Sequence, residues 1–240
     1  MQSAKAHASL SAGARNAGRL GLFGGSFDPP HGGHLYVAQK ARMHFGLDHV
    51  IFVPAARPPH KLERKLASGD QRCRMLELLL QGHGAFSIWS TELAREGPSY
   101  TLDTVCALQE ELPSACELFL ILGADNLEGF ASWRGIEELL QRADPLVCVR
   151  AGWDPEPQSL AALSAEARAK LARGRLEVEP FEASSSEIRS ALAGEGAARE
   201  EAGALPRAAS PSVNRNEENR NAGELLPGNL LEYLRSQDIY

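Results

Sequence analysis

The sequence lacks the features that define several protein classes. Its four cysteines are scattered without a CxxC pair, which argues against a disulfide framework and against a zinc site. No apolar run is long enough to cross a bilayer. The net charge of -6 leaves no basic excess for duplex nucleic acid. We therefore expect a cytoplasmic protein with reduced thiols and with neither a membrane nor a nucleic-acid partner.

Both ends of the chain differ in composition from its middle. Residues 1–19 are rich in Ala, Ser and Gly and contain no acidic residue. This composition overlaps with that of a transit peptide, but a flexible extension is the simpler interpretation. Residues 194–224 have almost no large apolar side chain, which predicts a disordered insertion, with a regulatory element as the alternative. Leucines at helical spacing over 225–240 predict a terminal helix that docks on a domain formed by 20–193.

Short apolar runs alternate with helical patterns between these ends. Runs such as 50–53 and 118–122 are continuously apolar, which is typical of parallel strands buried on both faces. We predict strands ending near 23, 53, 89, 122, 149 and 178. We predict helices over 34–45, 70–81, 101–108, 135–142, 160–171 and 187–192, with Asp70 and either Ser99 or Thr101 as N-caps. This alternation predicts an α/β fold, an open parallel sheet with helices on both faces.

Polar side chains cluster directly after the predicted strands. The clusters occupy residues 26–34, 57–61, 123–125, 150 and 184–189. Because parallel sheets bind ligands at the carboxyl ends of their strands, we expect these five segments to meet at one edge.

The first cluster belongs to the stretch LGLFGGSFDPPHGGHL at 20–35. A strand, a glycine-rich turn and a helix N-terminus in this order form an anion site. His31 and His34 can donate hydrogen bonds to phosphate oxygens and, when protonated, neutralise developing charge. A metal pair is the alternative, but zinc would need two further ligands and only Asp28 and His60 are near in sequence. We therefore assign no metal ligand.

These motifs resemble those of a known family. GGSFDPPHGGH is similar to the signature of the HIGH-type nucleotidyltransferases, which implies a Rossmann-like nucleotidyltransferase fold. With VPAARPPHK, PSYT, LGADNL, VCVRAGW and SSSEIR, the chain resembles bacterial nicotinate-nucleotide adenylyltransferases over about 20–189 and again at its end. The resemblance implies adenylyl transfer from ATP to nicotinate mononucleotide in NAD biosynthesis. It also implies Mg²⁺ held largely by the ATP phosphates.

The resemblance assigns a role to individual positions. His31, His34, Lys61 and Arg189 match the catalytic groups. The ATP side matches Gly24, Gly25, Ser26, His31, His34, Gly123, Asp125, Ser185, Ser186, Ile188 and Arg189. The nicotinate mononucleotide side matches Ser26, Phe27, Lys61, Thr101, Trp133, Arg134 and Arg150, with Trp133 stacking on the pyridine ring. Nicotinamide mononucleotide and phosphopantetheine are the alternative acceptors, and a non-catalytic nucleotide-binding regulator is the alternative class. Homo-oligomer formation stays open.

Overall fold

A single sheet of six strands organises the protein. The computed structural model describes residues 2–58, 66–150, 160–179, 184–202, 226–237 and 239–240. The strands are β1 (Arg19–Gly25), β2 (His49–Pro54), β3 (Phe86–Ile88), β4 (Glu117–Gly123), β5 (Asp144–Arg150) and β6 (Arg175–Val178). They lie in the order β3-β2-β1-β4-β5-β6, and every neighbouring pair is parallel. The predicted open parallel sheet is confirmed.

Helices connect the strands and cover the sheet. They are α1 (Gln2–Ala6), α2 (Ala12–Arg15), α3 (Gly32–Phe45), α4 (Gly69–Leu80), α5 (Thr101–Glu111), α6 (Ile136–Arg142), α7 (Ala165–Arg173), α8 (Ser185–Ala202) and α9 (Gly228–Gln237). Short 3-10 turns occupy Thr91–Ala94, Ala124–Leu127 and Phe130–Ser132. No helix within the described ranges is long and apolar enough to span a membrane.

Both faces of the sheet are buried because successive strand residues point in opposite directions. Leu22 and Ile51 face a core that contains side chains of α5, α6 and α7. Phe23 and Phe52 face a second core with side chains of α3 and α4. A third cluster joins α4, α8 and α9, and through it the C-terminal helix packs against the domain. The sequence-based expectation of helices on both faces is therefore confirmed.

The strand order reverses at β1. The chain runs outward from β1 through β2 to β3, then returns to pair β4 with the other side of β1. A parallel sheet of this kind opens a crevice at the carboxyl ends of the two strands that flank the reversal. The GGSFDPPHGGH stretch leaves β1 at this place.

The N-terminal segment differs from the expected flexible extension. Residues 2–17 contain α1 and α2, and Leu10, Ala14 and Ala17 are buried in the core. Polar contacts add to this packing: the Ala4 N–H donates to Asp70 Oδ1 at 2.9 Å, and the His7 ring lies 2.9 Å from Glu77 Oε1. The segment is ordered because its small residues pack on the core and because α4 supplies hydrogen-bond acceptors. The composition of the segment does not reveal these contacts.

Three helix starts also differ from expectation. Ser68, not Asp70, caps α4. Its hydroxyl accepts from the Gln71 N–H, and its own N–H donates to the Gln71 side chain. The N-cap residue of α5 is Tyr100, not Ser99 or Thr101, and the Tyr100 side chain makes no capping hydrogen bond. α7 starts at Ala165, because the Ser164 hydroxyl accepts from the Ala167 N–H. The backbone of α8 runs to Ala202, inside the expected insertion, and residues 203–225 lie outside the described ranges.

Candidate active site

The turn after β1 is shaped by close packing. A Cβ atom on Gly25 would lie 2.9 Å from Phe27 Cζ, so the phenyl ring occupies the space of a side chain at this position. Phe27 itself has φ 48° and a ring that is 2% exposed, packed among Phe23, Phe52 and His34. The Phe27 side chain is therefore part of the core, which leaves its backbone for the predicted contact with the acceptor. The half-buried Ser26 between them remains accessible.

His31 and His34 are held together at the start of α3. The Gly33 N–H donates to His31 Nδ1, and the His31 N–H donates to His34 Nδ1, both at 3.2 Å. The ring centroids lie 4.0 Å apart. Because each Nδ1 accepts a backbone hydrogen bond, a neutral ring carries its proton on Nε2. Each histidine is thereby oriented as an Nε2–H donor at a helix N-terminus.

The charge state of His31 follows from its burial. Desolvation lowers its pKa from 6.5 to about 4, and Glu187 opposes that shift only in part. His31 is therefore neutral at pH 7 in the folded protein. In the ligand-free protein His31 is thus a neutral hydrogen-bond donor, and its contact with a phosphate stays a prediction.

The first turn of α8 is attached to the same loop. The Ser185 hydroxyl donates to the Pro29 carbonyl at 2.9 Å, and the Arg189 guanidinium donates to the Asp28 carbonyl at 2.6 Å. Ser186 accepts from Arg189 at 2.8 Å. Ile188 is fully buried, so its side chain belongs to the core, and its N–H donates to the Ser184 carbonyl at 3.1 Å. Two helix N-termini, those of α3 and α8, thus converge on one glycine-rich turn, which is an arrangement suited to phosphate groups.

Asp28 joins this loop to distant parts of the chain. Its carboxylate is 2% exposed and accepts from the Ala67 N–H at 3.0 Å and from the Tyr240 hydroxyl at 2.6 Å. The carboxylate is thus hydrogen-bonded inside the protein. Of the two further metal ligands considered for the histidine pair, Asp28 is engaged by these donors, and His60 lies outside the described residues.

Several residues predicted for the acceptor side lie in the loop after β2 and at the start of α5. Ser99 Oγ accepts from the N–H groups of Ala56 and Arg57 at 3.0 and 3.2 Å. Its neighbour Thr101 is the first residue of α5. The PSYT segment therefore contacts the loop that leads to Lys61, whose own position lies outside the described residues.

Trp133 and Arg134 lie beside the start of α5. The Arg134 guanidinium is 3.1 Å from Asp103 Oδ2 and 4.7 Å from the centroid of the Tyr100 ring. The partly buried Trp133 ring packs edge-on against Phe130, with centroids 5.0 Å apart. Arg134 thus contacts the residues on either side of Thr101 and Leu102, while the joint role of Thr101, Trp133 and Arg134 at the acceptor stays a prediction.

Two further predicted positions follow β4 and β5. Gly123 ends β4, and Asp125 lies exposed in the 3-10 turn that comes next, with its carboxylate 3.3 Å from Asn126 Nδ2. A Cβ on Gly123 would lie 2.5 Å from Asp125 Oδ1. Arg150 ends β5, where its backbone pairs with Val178 of β6. Each position lies at the carboxyl edge of the sheet, as its place after a strand predicts.

Two residues of this region had no assigned role in the sequence: Arg72 and Tyr240. Arg72 is 2% exposed and donates to three main-chain carbonyls near the site. The sequence contained a signal for a special role of Arg72, because this residue shares the apolar stripe of α4 with Met75, Leu76 and Leu79. A charged residue on a buried stripe needs partners inside the protein. The contact of Tyr240 with Asp28 has no local signal of this kind.

Comparison with known proteins defines the class. A doubly wound parallel sheet with a histidine-capped helix after its first strand has the features of a nucleotidyltransferase. The family model described as cytidylyltransferase-like matches residues 22–191, so the chain belongs to that family. Among solved structures, Plasmodium falciparum nicotinic acid mononucleotide adenylyltransferase complexed with NaAD has a TM-score of 0.62 at 16% identity. It covers 92% of this chain and 97% of that one, and supports the fold.

Curated relatives narrow the class to a particular family. A probable nicotinate-nucleotide adenylyltransferase of Bordetella pertussis is 42% identical over 176 residues, 73% of this chain and 86% of the relative. One of Bacillus pumilus is 45% identical over 123 residues, 51% of this chain, and the matched part spans 65% of that relative's length. The chain belongs to the nicotinate-nucleotide adenylyltransferase family.

Proposed function

We propose that this protein transfers the adenylyl group of ATP to nicotinate mononucleotide, a step of NAD biosynthesis. An oxygen of the acceptor 5′-phosphate attacks the α-phosphorus of ATP. The new P–O bond forms as the bond to the β-phosphate oxygen breaks, which gives deamido-NAD and pyrophosphate. No protein nucleophile is needed, because the attacking oxygen is already anionic. Catalysis then consists of positioning and of charge stabilisation.

The observation that carries this proposal is the fixed orientation of the His31–His34 pair. Both Nδ1 atoms accept backbone N–H groups, so the Nε2–H groups serve as preorganised donors. Such donors stabilise charge that develops on phosphate oxygens in the transition state and need no reorganisation at that moment. Arg189 and the hydroxyls of Ser185 and Ser186, at the start of α8, complete the ATP side.

Mg²⁺ fits this site as part of the ATP complex. Within the described ranges, no three His, Cys, Asp or Glu side chains group together as metal ligands. An ion that arrives with ATP takes its ligands mainly from phosphate oxygens and water, which is the usual coordination of Mg²⁺ on a nucleotide. When bound, the ion shields phosphate charge. The protein residues hold the phosphates at the N-termini of α3 and α8.

The start of α5 supports a preference for the acid over the amide. Tyr100 gives no side-chain cap to α5, so the N–H groups of its first turn, beginning at Thr101, are not satisfied by the N-cap. The positive end of the helix favours a carboxylate. An amide group would place its NH₂ against these donors and lose affinity. Trp133 precedes Arg134, which contacts Tyr100 and Asp103 at the start of α5, and we assign its aromatic ring to the pyridine.

A comparison of acceptors tests the proposal. The purified chain is assayed with ATP and Mg²⁺ and with nicotinate mononucleotide, nicotinamide mononucleotide or phosphopantetheine. We expect kcat/KM for the acid nucleotide to exceed that for the amide by at least about a hundredfold, roughly 2.7 kcal/mol. Equal or better turnover of the amide would refute the acid preference. Nucleotide binding without turnover of any acceptor would favour a regulator.

A further inference from the structure

Arg72 is a buried cation whose hydrogen bonds all reach main-chain oxygens. It lies on α4 and is 2% exposed. Its Nε donates to the Ala67 carbonyl at 3.0 Å, and its Nη1 donates to the carbonyls of Ser26 and Ala55, both at 2.8 Å. Burial of a guanidinium is costly unless such acceptors surround it. The three carbonyls belong to loops and to no helix or strand interior.

Two of these carbonyls extend the pairing of neighbouring strands. Gly25 of β1 is in register with Pro54 of β2, and the Ala55 N–H donates to the Gly25 carbonyl at 2.9 Å. Ser26 follows Gly25, and Ala55 follows Pro54, at the point where the regular hydrogen bonding between β1 and β2 ends. Arg72 bridges their carbonyls and so keeps the two loops at a fixed separation beyond the sheet.

The two loops belong to the same half of the site. The family resemblance assigns Ser26 to the nicotinate mononucleotide side as well as to the ATP side, and the loop after Ala55 leads to Lys61, which it assigns to the mononucleotide side. The segment after Ala55 donates the N–H groups of Ala56 and Arg57 to Ser99, next to the start of α5. The hydrogen bonds that the described structure gives Arg72 reach none of His31, His34 and Ser185. Two of its three hydrogen bonds therefore hold the loops assigned to the acceptor side.

We propose that Arg72 is a positioning residue for the acceptor nucleotide. By holding the carbonyls of Ser26 and Ala55, it fixes the direction in which Ser26 and the 55–57 segment present their polar groups. Arg72 itself stays behind this surface and touches no substrate. A lysine keeps the charge but cannot reproduce the fork that serves three acceptors at once. This assignment rests on the proposed function of the site.

The test measures both Michaelis constants in Arg72→Lys and Arg72→Gln. We expect KM for nicotinate mononucleotide to rise about tenfold in Arg72→Lys, equal to roughly 1.4 kcal/mol, and further in Arg72→Gln. We expect KM for ATP to stay within about twofold of wild type. Arg74→Lys is the matched control, because Arg74 is exposed on the same helix and pairs with Glu77 at 2.7 Å. It should leave both constants unchanged.

The outcomes separate this inference from the proposed function. A wild-type chain that turns over no nicotinate mononucleotide would refute the proposed function itself. If the wild type is active, equal rises of both Michaelis constants would overturn the positioning role. Loss of the folded state in both variants, measured by thermal unfolding, would equally overturn it and show that Arg72 supports the fold as a whole.

Discussion

His31 and His34 fix each other's place: the backbone N–H of His31 donates to Nδ1 of His34 at 3.2 Å. The His31 ring in turn accepts from the Gly33 N–H, so the two side chains close a reciprocal cap on α3. Histidine is an unusual capping residue, since Ser, Thr, Asp and Asn are the preferred ones. Here the cap serves a second purpose, because it fixes which ring nitrogen carries the proton.

Burial of His31 predicts a dependence of stability on pH. Its folded pKa of about 4 lies below the ordinary 6.5, so between these values the unfolded chain binds a proton that the folded chain does not. The contribution of His31 to the free energy of unfolding is fully present above pH 6.5. It decreases as the pH falls toward 4, by up to about 1.4 kcal/mol per pH unit. Denaturant unfolding at a series of pH values measures this slope.

A variant isolates the contribution of His31. His31→Asn keeps a cap acceptor for the Gly33 N–H, but its side chain does not titrate. The free energy of unfolding of this variant should therefore depend on pH less steeply than that of the wild type. The pKa of His49 is also lowered, first by burial and then by Arg42. His49→Asn is therefore the matched comparison, because it retains the His31 contribution. An unchanged slope in His31→Asn would contradict the neutral, buried state of His31.

The contact between Tyr240 and Asp28 predicts a role for the C-terminal residue in the geometry of the site. The phenol donates to the carboxylate at 2.6 Å, and the carbonyl of the same aspartate accepts from Arg189. Tyr240→Phe should lower the free energy of unfolding by about 1–3 kcal/mol, the effect of losing a hydrogen bond to a charged group. It should also raise KM for ATP, because the Asp28 carbonyl that accepts from Arg189 is then held less firmly.

Tyr233→Phe provides the control for this prediction. Tyr233 lies on α9, and its hydroxyl has no contact to Asp28 among the described hydrogen bonds. Calorimetry and steady-state kinetics on both variants give the answer. Equal effects of the two substitutions on KM for ATP would show that the Tyr240 hydroxyl has no specific part in the site.

Gly25 and Gly24 are expected to respond differently to alanine. A Cβ at Gly25 meets the Phe27 ring at 2.9 Å, whereas a Cβ at Gly24 has Leu22 Cδ2 as its nearest neighbour at 4.0 Å. Overpacking a buried ring costs about 1–3 kcal/mol, so Gly25→Ala should destabilise the protein by this amount and Gly24→Ala by little. Thermal unfolding of both variants measures the difference. A Gly25→Ala protein as stable as Gly24→Ala would refute the packing argument.

The sequence predicted the sheet and the polar residues at its carboxyl edge because both depend on local patterns. Continuous apolar runs at 50–53 and 118–122 indicated buried parallel strands, and β2 and β4 contain them. The histidines were found because they follow a glycine turn. Contacts between distant residues had no such pattern: the bonds of Arg72 to Ser26 and of Tyr240 to Asp28 depend on tertiary packing. The caps of α4 and α5 differed for a related reason, since several adjacent residues could serve as a cap.

Replacement of His34 by alanine tests the central claim most directly. His44→Ala is the matched control, because His44 is exposed near the end of the same helix. The kcat for deamido-NAD formation is measured at saturating substrates, and thermal unfolding is recorded for both variants. If the Nε2–H of His34 stabilises the transition state, kcat should fall about a thousandfold in His34→Ala, roughly 4 kcal/mol, and stay unchanged in His44→Ala. A folded His34→Ala protein that loses less than about tenfold, roughly 1.4 kcal/mol, would contradict the account.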